Sequence, residues 1–154
     1  MAIIEFARNK LNIKKATSSE FDKNGVHVIG LINEWKKDGK TIKGTDKDLG
    51  GTMRLGSYDA KLKDNSLIRK IYGKNLIKER HRHRYEVNIN YKEKFEKNGM
   101  SFSGLSPDGS LPEIIELKNH PWFVGVQFHP EFKSRPLNPH PLFSSFIKAA
   151  KNHK

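Results

Sequence analysis

No cysteine occurs anywhere in this 154-residue chain. That excludes disulfides, thiolate metal sites and any step that starts from a thiolate of the chain itself, while leaving the compartment open. No apolar run approaches the roughly 20 residues that a membrane-spanning helix needs. The opening Met1-Ala2-Ile3-Ile4-Glu5 lacks the basic region and cleavage site of an export leader. These absences point to a soluble, cytosolic protein with no membrane partner. Acidic residues are scarce, 17 against 29 Lys and Arg, for a formal net charge of +12. Such an excess fits a polyanion such as nucleic acid or nucleotide phosphate. The lysines are scattered through every loop, however, and a solvated basic surface explains them better than a specific nucleic-acid site.

The length suits a single domain with a real core. Apolar residues make up 35% and charged residues 30%, polar for a globular chain but with recurrent strong apolar runs that exclude disorder. Ile3, Phe6, Ala7 and Leu11 recur at helical spacing, so Ala2 to Leu11 is expected to be a helix. It begins at the first methionine with no cap, as if the chain opened in the middle of a fold. Strands are expected at Val26 to Ile32, near Lys40 to Lys43 after an Asp38-Gly39 turn, and from Thr52 to Leu62 after Gly50-Gly51. Asp64-Asn65-Ser66 can cap a short helix running to Tyr72. A long extended segment, Leu76 to Asn90, precedes a helix from Tyr91 to Lys97 closed by Asn98-Gly99. Two strands, Ser101 to Leu105 and Leu111 to Leu117, flank Pro107-Asp108-Gly109. A proline-bearing loop leads to a last helix whose apolar face comprises Leu142, Phe143, Phe146, Ile147 and Ala150. Mixed strands and flanking helices indicate an α/β domain with a mixed central sheet.

Trp122-Phe123-Val124-Gly125-Val126-Gln127-Phe128 reads as a strand buried on both faces. His129, Pro130 and Glu131 end it. In extended chain, residues two apart share a face, so Glu131 can reach one imidazole nitrogen of His129 and leave the other to take a proton. That is the base and orienting acid of a nucleophilic triad. The plain alternative is a buried strand ending in an ordinary turn. Arg80-His81-Arg82-His83-Arg84-Tyr85-Glu86 is the densest polar cluster. A strand would place its three arginines on one face, suited to carboxylate or phosphate, and His81, His83 and Tyr85 on the other. A defended edge strand explains the same pattern. No third ligand stands at metal spacing from His81 and His83, so no metal is expected. Gly50-Gly51-Thr52 lacks the following Gly-Lys-Ser or Gly-Lys-Thr of a phosphate loop and reads as a turn. Thr17-Ser18-Ser19-Glu20 reads first as local capping.

Together these segments resemble one family. Ser18-Ser19-Glu20-Phe21, Leu49 through Gly56 with its Gly-Gly-Thr-Met-Arg run, Glu79 through Asn88, and Asn119 through Phe132 are similar in order and spacing to the class I glutamine amidotransferase domain of CTP synthase, from Met1 to about Ala150. His-Pro-Glu is shared by many class I amidotransferases. Glu-Arg-His-Arg-His-Arg-Tyr-Glu-Val-Asn and Gly-Gly-Thr-Met-Arg are far more specific.

The resemblance implies a glutamine-hydrolysing site in which His129 is the general base and Glu131 its orienting acid. Glu20 and Arg84 match residues that hold glutamine, and Arg82 and Arg54 are candidates for support or for contacts toward the synthetase side. The family's nucleophile elbow and its ATP-, magnesium- and UTP-binding synthetase domain have no counterpart here. The resemblance thus implies one N-terminally truncated amidotransferase domain over 1–154. On this reading the chain binds no cofactor itself, works with a missing upstream segment and homo-oligomerises only through the full-length enzyme. It carries the base half of the site and is inactive alone. The alternatives are a non-catalytic basic module binding nucleotide or RNA on the same fold, and another glutamine-hydrolysing transferase.

Overall fold

A computed structural model of the chain describes residues 1–31 and 53–153. The turn expected at Asp38-Gly39, the strand at Lys40 to Lys43 and Gly50-Gly51-Thr52 lie outside the described residues. Helix α1 (Ala2–Asn9) buries Ile3, Ile4 and Ala7, one turn apart, and no side chain caps its start. It ends two residues short of expectation, because the chain turns through a left-handed Asn12, yet Leu11 still packs into the core. The helix lies on a small sheet of strands β1 (Ala16–Ser18), β2 (Val26–Leu31) and β5 (Tyr85–Val87), with β2 in the middle. β1 runs parallel to β2, and β5 antiparallel to it.

The larger sheet has the order β4-β3-β6-β7-β8 and is antiparallel throughout. Its strands are β3 (Arg54–Leu62), β4 (Leu76–His83), β6 (Met100–Leu105), β7 (Pro112–Leu117) and β8 (Val124–Val126). Helix α2 (Leu67–Tyr72) fills the β3–β4 connection. The Ser66 hydroxyl accepts the Arg69 amide at its start, and Gly73, with φ 68°, closes it in the left-handed region that glycine tolerates. A carboxylate from β7 completes this cap: Glu116 accepts the amides of Leu67 at 3.1 Å and Ile68 at 2.8 Å. A 3-10 turn, Ile89–Tyr91, leads into α3 (Lys92–Lys97), and α4 (Pro141–Asn152) ends the fold. One core joins α1, the small sheet, Phe95 of α3, and Met100 and Phe102 of β6. A second joins Ala60, Leu62, Ile68, Ile77, Ile114, Phe128 and Leu142.

Three expectations change. The extended segment from Leu76 splits after His83, where the backbone leaves one sheet and enters the other at Tyr85. Arg80 and Arg82 share the exposed face of β4, but Arg84 sits at the break and belongs to neither strand. The strand expected from Trp122 is only three residues long and half-buried, because among the described residues β8 is an edge paired to β7 alone. The apolar face of α4 buries Leu142, while Phe143, Phe146 and Ile147 remain exposed.

Candidate active site

His129 leaves the larger sheet just beyond β8, and its amide donates at 2.8 Å to the Arg80 carbonyl of β4, the outer strand at the other side of the sheet among the described residues. Pro130 pre-sets the backbone for a 3-10 turn, Pro130–Lys133. Glu131 therefore meets His129 by folding back in a turn, and not by the alternation of an extended strand. Its Oε1 lies 2.6 Å from His129 Nδ1. With that nitrogen donating to the carboxylate, Nε2 carries the lone pair and is the atom free to act as base. The ring also stacks on Phe132, centroids 5.1 Å apart. The hydrogen bond from His129 holds the Glu131 carboxyl below its ordinary range. Both side chains face solvent in part, open to a reacting partner.

A buried polar cluster lies beside this turn. Arg54 places Nη1 3.3 Å from Glu86 Oε1 and 2.7 Å from Glu113 Oε1, the second a close ion pair. Its guanidinium also covers the Tyr58 ring. Gln127, two residues before His129, donates to Glu86 Oε2 at 2.9 Å. His81 Nδ1 meets His83 Nε2 at 2.8 Å, and His83 Nδ1 faces the Tyr85 carbonyl at 3.2 Å. Burial, then the Arg54 charge, pushes His81 down to about 3 and His83 down to about 4. Burial lifts Glu113 to about 7 against the pull of Arg54. A positive charge on His129, when it carries the proton it has taken, would further oppose charging either histidine.

A second cluster fastens the turn from its other end. Buried Glu79 accepts the Tyr72 hydroxyl at 3.0 Å and faces His140 Nε2 at 3.2 Å through Oε1. His140 Nδ1 accepts the Leu142 amide as the cap of α4, which leaves Nε2 as its donor. Lys133, at the end of the 3-10 turn, reaches Glu79 Oε2 at 3.4 Å and donates to the Lys78 carbonyl at 2.6 Å.

Glu20 follows β1, is exposed, and donates its amide to Ser18 Oγ at 3.2 Å, the local capping expected for that segment. The registers Ser18 with Ile29 and Tyr85 with Leu31 bring Glu20 and Arg84 to the same end of the small sheet. Gln127 Nε2 lies 3.5 Å from the Tyr85 carbonyl, so the segment leading to His129 approaches that end as well. Arg82 instead stands on the solvent face of β4, opposite Leu55, away from Arg54. Sequence reasoning missed Glu113, Glu86, Gln127, Glu79 and His140. The available signal was a charged residue in the inward register of an apolar strand, as in Pro112-Glu113-Ile114-Ile115.

Residues 2–149 match the family described as glutamine amidotransferase class-I. The chain belongs to that family. Amidotransferase relatives extend the likeness. The chain is 85% identical, over its whole length, to the CTP synthase of Pelagibacter ubique, of which it covers 29%. Over 97% of its length it is 62% identical to the CTP synthase of Zymomonas mobilis, covering 28% of that protein. It thus spans less than a third of the curated relatives it matches. Among solved structures it resembles the glutaminase domain of Trypanosoma brucei CTPS with bound acivicin, at a TM-score of 0.83 and 35% identity. That likeness covers 99% of this chain and 57% of the other. The α/β class I amidotransferase fold expected from the sequence is therefore the one the chain adopts.

Proposed function

We propose that the chain carries the His–Glu half of the glutamine-hydrolysis site of a CTP synthase acting in the cytoplasm. The observation that carries this reading is the 2.6 Å pairing of His129 Nδ1 with Glu131, in a chain of this family with no cysteine. The thiol comes from a segment outside these 154 residues. An open, largely apolar cavity of about 200 Å³, lined in part by Ala2, Ile29, Ile115 and Val126, offers a surface for that segment to pack against.

In the proposed reaction His129 Nε2 takes the proton of the thiol, and the thiolate attacks the side-chain amide carbon of glutamine. His129 returns the proton to the departing ammonia, then draws one from water as it opens the thioester. Glutamate and the free thiol result. Glu131 keeps the ring in the tautomer that exposes Nε2. The Glu20 carboxylate suits the α-ammonium of glutamine and the Arg84 guanidinium its α-carboxylate. Arg54 supports the site from the interior, and Arg82 faces outward toward the rest of the larger enzyme. Ammonia then aminates UTP. ATP and magnesium serve that step in the synthetase portion.

The purified chain alone is expected to hydrolyse no glutamine above background. Supplying the cysteine-bearing segment, fused or in trans, should restore activity, and His129→Ala in that assembly should abolish it. His129-dependent hydrolysis by the chain alone would overturn the reading. The exposed row Lys78, Arg80 and Arg82 supports a second reading, a basic module for nucleotide or RNA. Plain polyanion binding on this row should fall steeply with salt through counterion release, whereas salt-resistant RNA binding would favour the module.

A further inference from the structure

Among the described residues, His81 Nε2 and Glu113 Oε2 are buried without a hydrogen-bond partner, while Glu113 Oε1 ion-pairs with Arg54 at 2.7 Å. They face one another, His81 Nε2 lying 3.7 Å from Glu113 Oε2. The proton positions follow from the other end of the row. His83 Nδ1 has acceptors before it, the Tyr85 carbonyl at 3.2 Å and Glu86 Oε1 at 3.4 Å, so it carries hydrogen. His83 Nε2 is then an acceptor, and its 2.8 Å partner, His81 Nδ1, must be the donor. His81 Nε2 is left with a lone pair facing a carboxyl oxygen. Two lone pairs repel, and a proton on Glu113 turns that contact into an attraction within a small side-chain rotation, with both rings neutral.

Charge balance leads to the same protonation. Arg54 stands between two carboxylates, Glu86 and Glu113, all three buried. Both ionised would leave Arg54, Glu86 and Glu113 with a buried net negative charge, whereas protonating Glu113 leaves those three neutral together. The competing arrangement charges His83 or His81, which burial, Arg54 and the nearby His129 oppose.

We infer that Glu113, carrying its proton, His81 and His83 form a one-directional hydrogen-bond chain that fixes the junction bearing Arg84 against the segment bearing His129. The row ends on the Tyr85 carbonyl, the residue after Arg84, where Gln127 Nε2 also arrives while holding Glu86. Glu113, His81 and His83 are thus positioning residues for glutamine binding. The tautomer pattern stands by itself, whereas its effect on glutamine rests on the proposed function.

The first test reads ring nitrogens of the 15N-labelled full chain by NMR. At about pH 6, below the point where Glu113 releases its proton, His81 and His83 should both be neutral with hydrogen on Nδ1. Both signatures should shift together towards about pH 8, and Glu113→Gln, whose amide still donates, should keep the first pattern throughout. Hydrogen on His81 Nε2 at about pH 6, a cationic ring there, or an unchanged pH response in Glu113→Gln would overturn the inference. In the assembly carrying the cysteine, Glu113→Ala should raise KM for glutamine about tenfold with kcat altered less than about threefold, and Glu113→Gln should restore KM. A loss confined to kcat would overturn the positioning role. No hydrolysis by the unmutated assembly, with the stated tautomers intact, would count against the proposed function alone.

Discussion

Glu79 and Glu113 are both almost wholly buried, at 2% and 1% exposure, yet their carboxyls move in opposite directions. Burial raises each. At Glu79 the hydrogen bond from His140, then Lys133 and Tyr72, outweigh it and hold the group below its ordinary range. At Glu113 the Arg54 cation is shared with Glu86, and the group rises to about 7. Burial depth does not distinguish them; the supply of donors does. One is a fixed anion that fastens the 3-10 turn, and the other is a carboxyl poised to hold a proton.

The largest expected contrast comes from replacing each by its amide. Glu79→Gln removes a buried charge held by the Tyr72 hydroxyl, His140 and the Lys133 ammonium and should cost about 3 kcal/mol in urea unfolding. Glu113→Gln near neutral pH mimics the protonated carboxyl and should cost less than about 1 kcal/mol. Equal losses would erase the distinction.

Acidity tests it next. Below about pH 6.5 the unfolded chain protonates His81 and His83, which the folded chain resists until about 3 and about 4. The folded chain meanwhile keeps a proton on Glu113 that the unfolded chain releases near the ordinary carboxyl value of 4.5. Between roughly pH 4.5 and 6.5, two protons oppose one. Stability should therefore fall on acidification by about 1.4 kcal/mol per pH unit from these groups. Above about 6.5 the sign reverses, as Glu113's contribution is lost through about 7. Thermal melts across pH should peak near that crossing, and Glu113→Gln should flatten the alkaline limb.

Lys133→Ala should cost about 1 kcal/mol, since its partner Glu79 is buried but the ammonium is half exposed. Glu131→Ala should change stability by no more than about 0.5 kcal/mol, because the carboxylate is exposed. Its effect should appear instead as reduced hydrolysis in the complete assembly, smaller than that of His129→Ala.

What the sequence disclosed follows the range of each interaction. His129 and Glu131 are two residues apart, so their pairing was legible, although a turn and not a strand achieves it. The helix at Ala2, the Ser66 cap and the two strands around Pro107-Asp108-Gly109 were legible from periodicity and turn chemistry. Alternation also separated Arg80 and Arg82 from His81. It carries no information on which sheet a strand joins, so the break at Arg84 was hidden. An apolar run likewise does not reveal whether a neighbour covers it, hence the short β8 and the exposed Phe146. Arg54, Glu86, Glu113 and Gln127 meet from β3, β5, β7 and the chain beyond β8, and no local pattern links them.

The Glu116 cap on α2 bears on the order in which the chain assembles. The first amides of that helix find their acceptor nearly fifty positions later in sequence, |i−j| being 49 for Leu67 and 48 for Ile68. The six-residue segment is too short to hold together in water by itself. Its first turn is complete only after β7 has threaded into place, which ties a local element to a long-range event and disfavours early, independent helix formation. Deuterium should therefore enter the Leu67 and Ile68 amides only through openings large enough to part α2 from β7, at rates near those of the central strands.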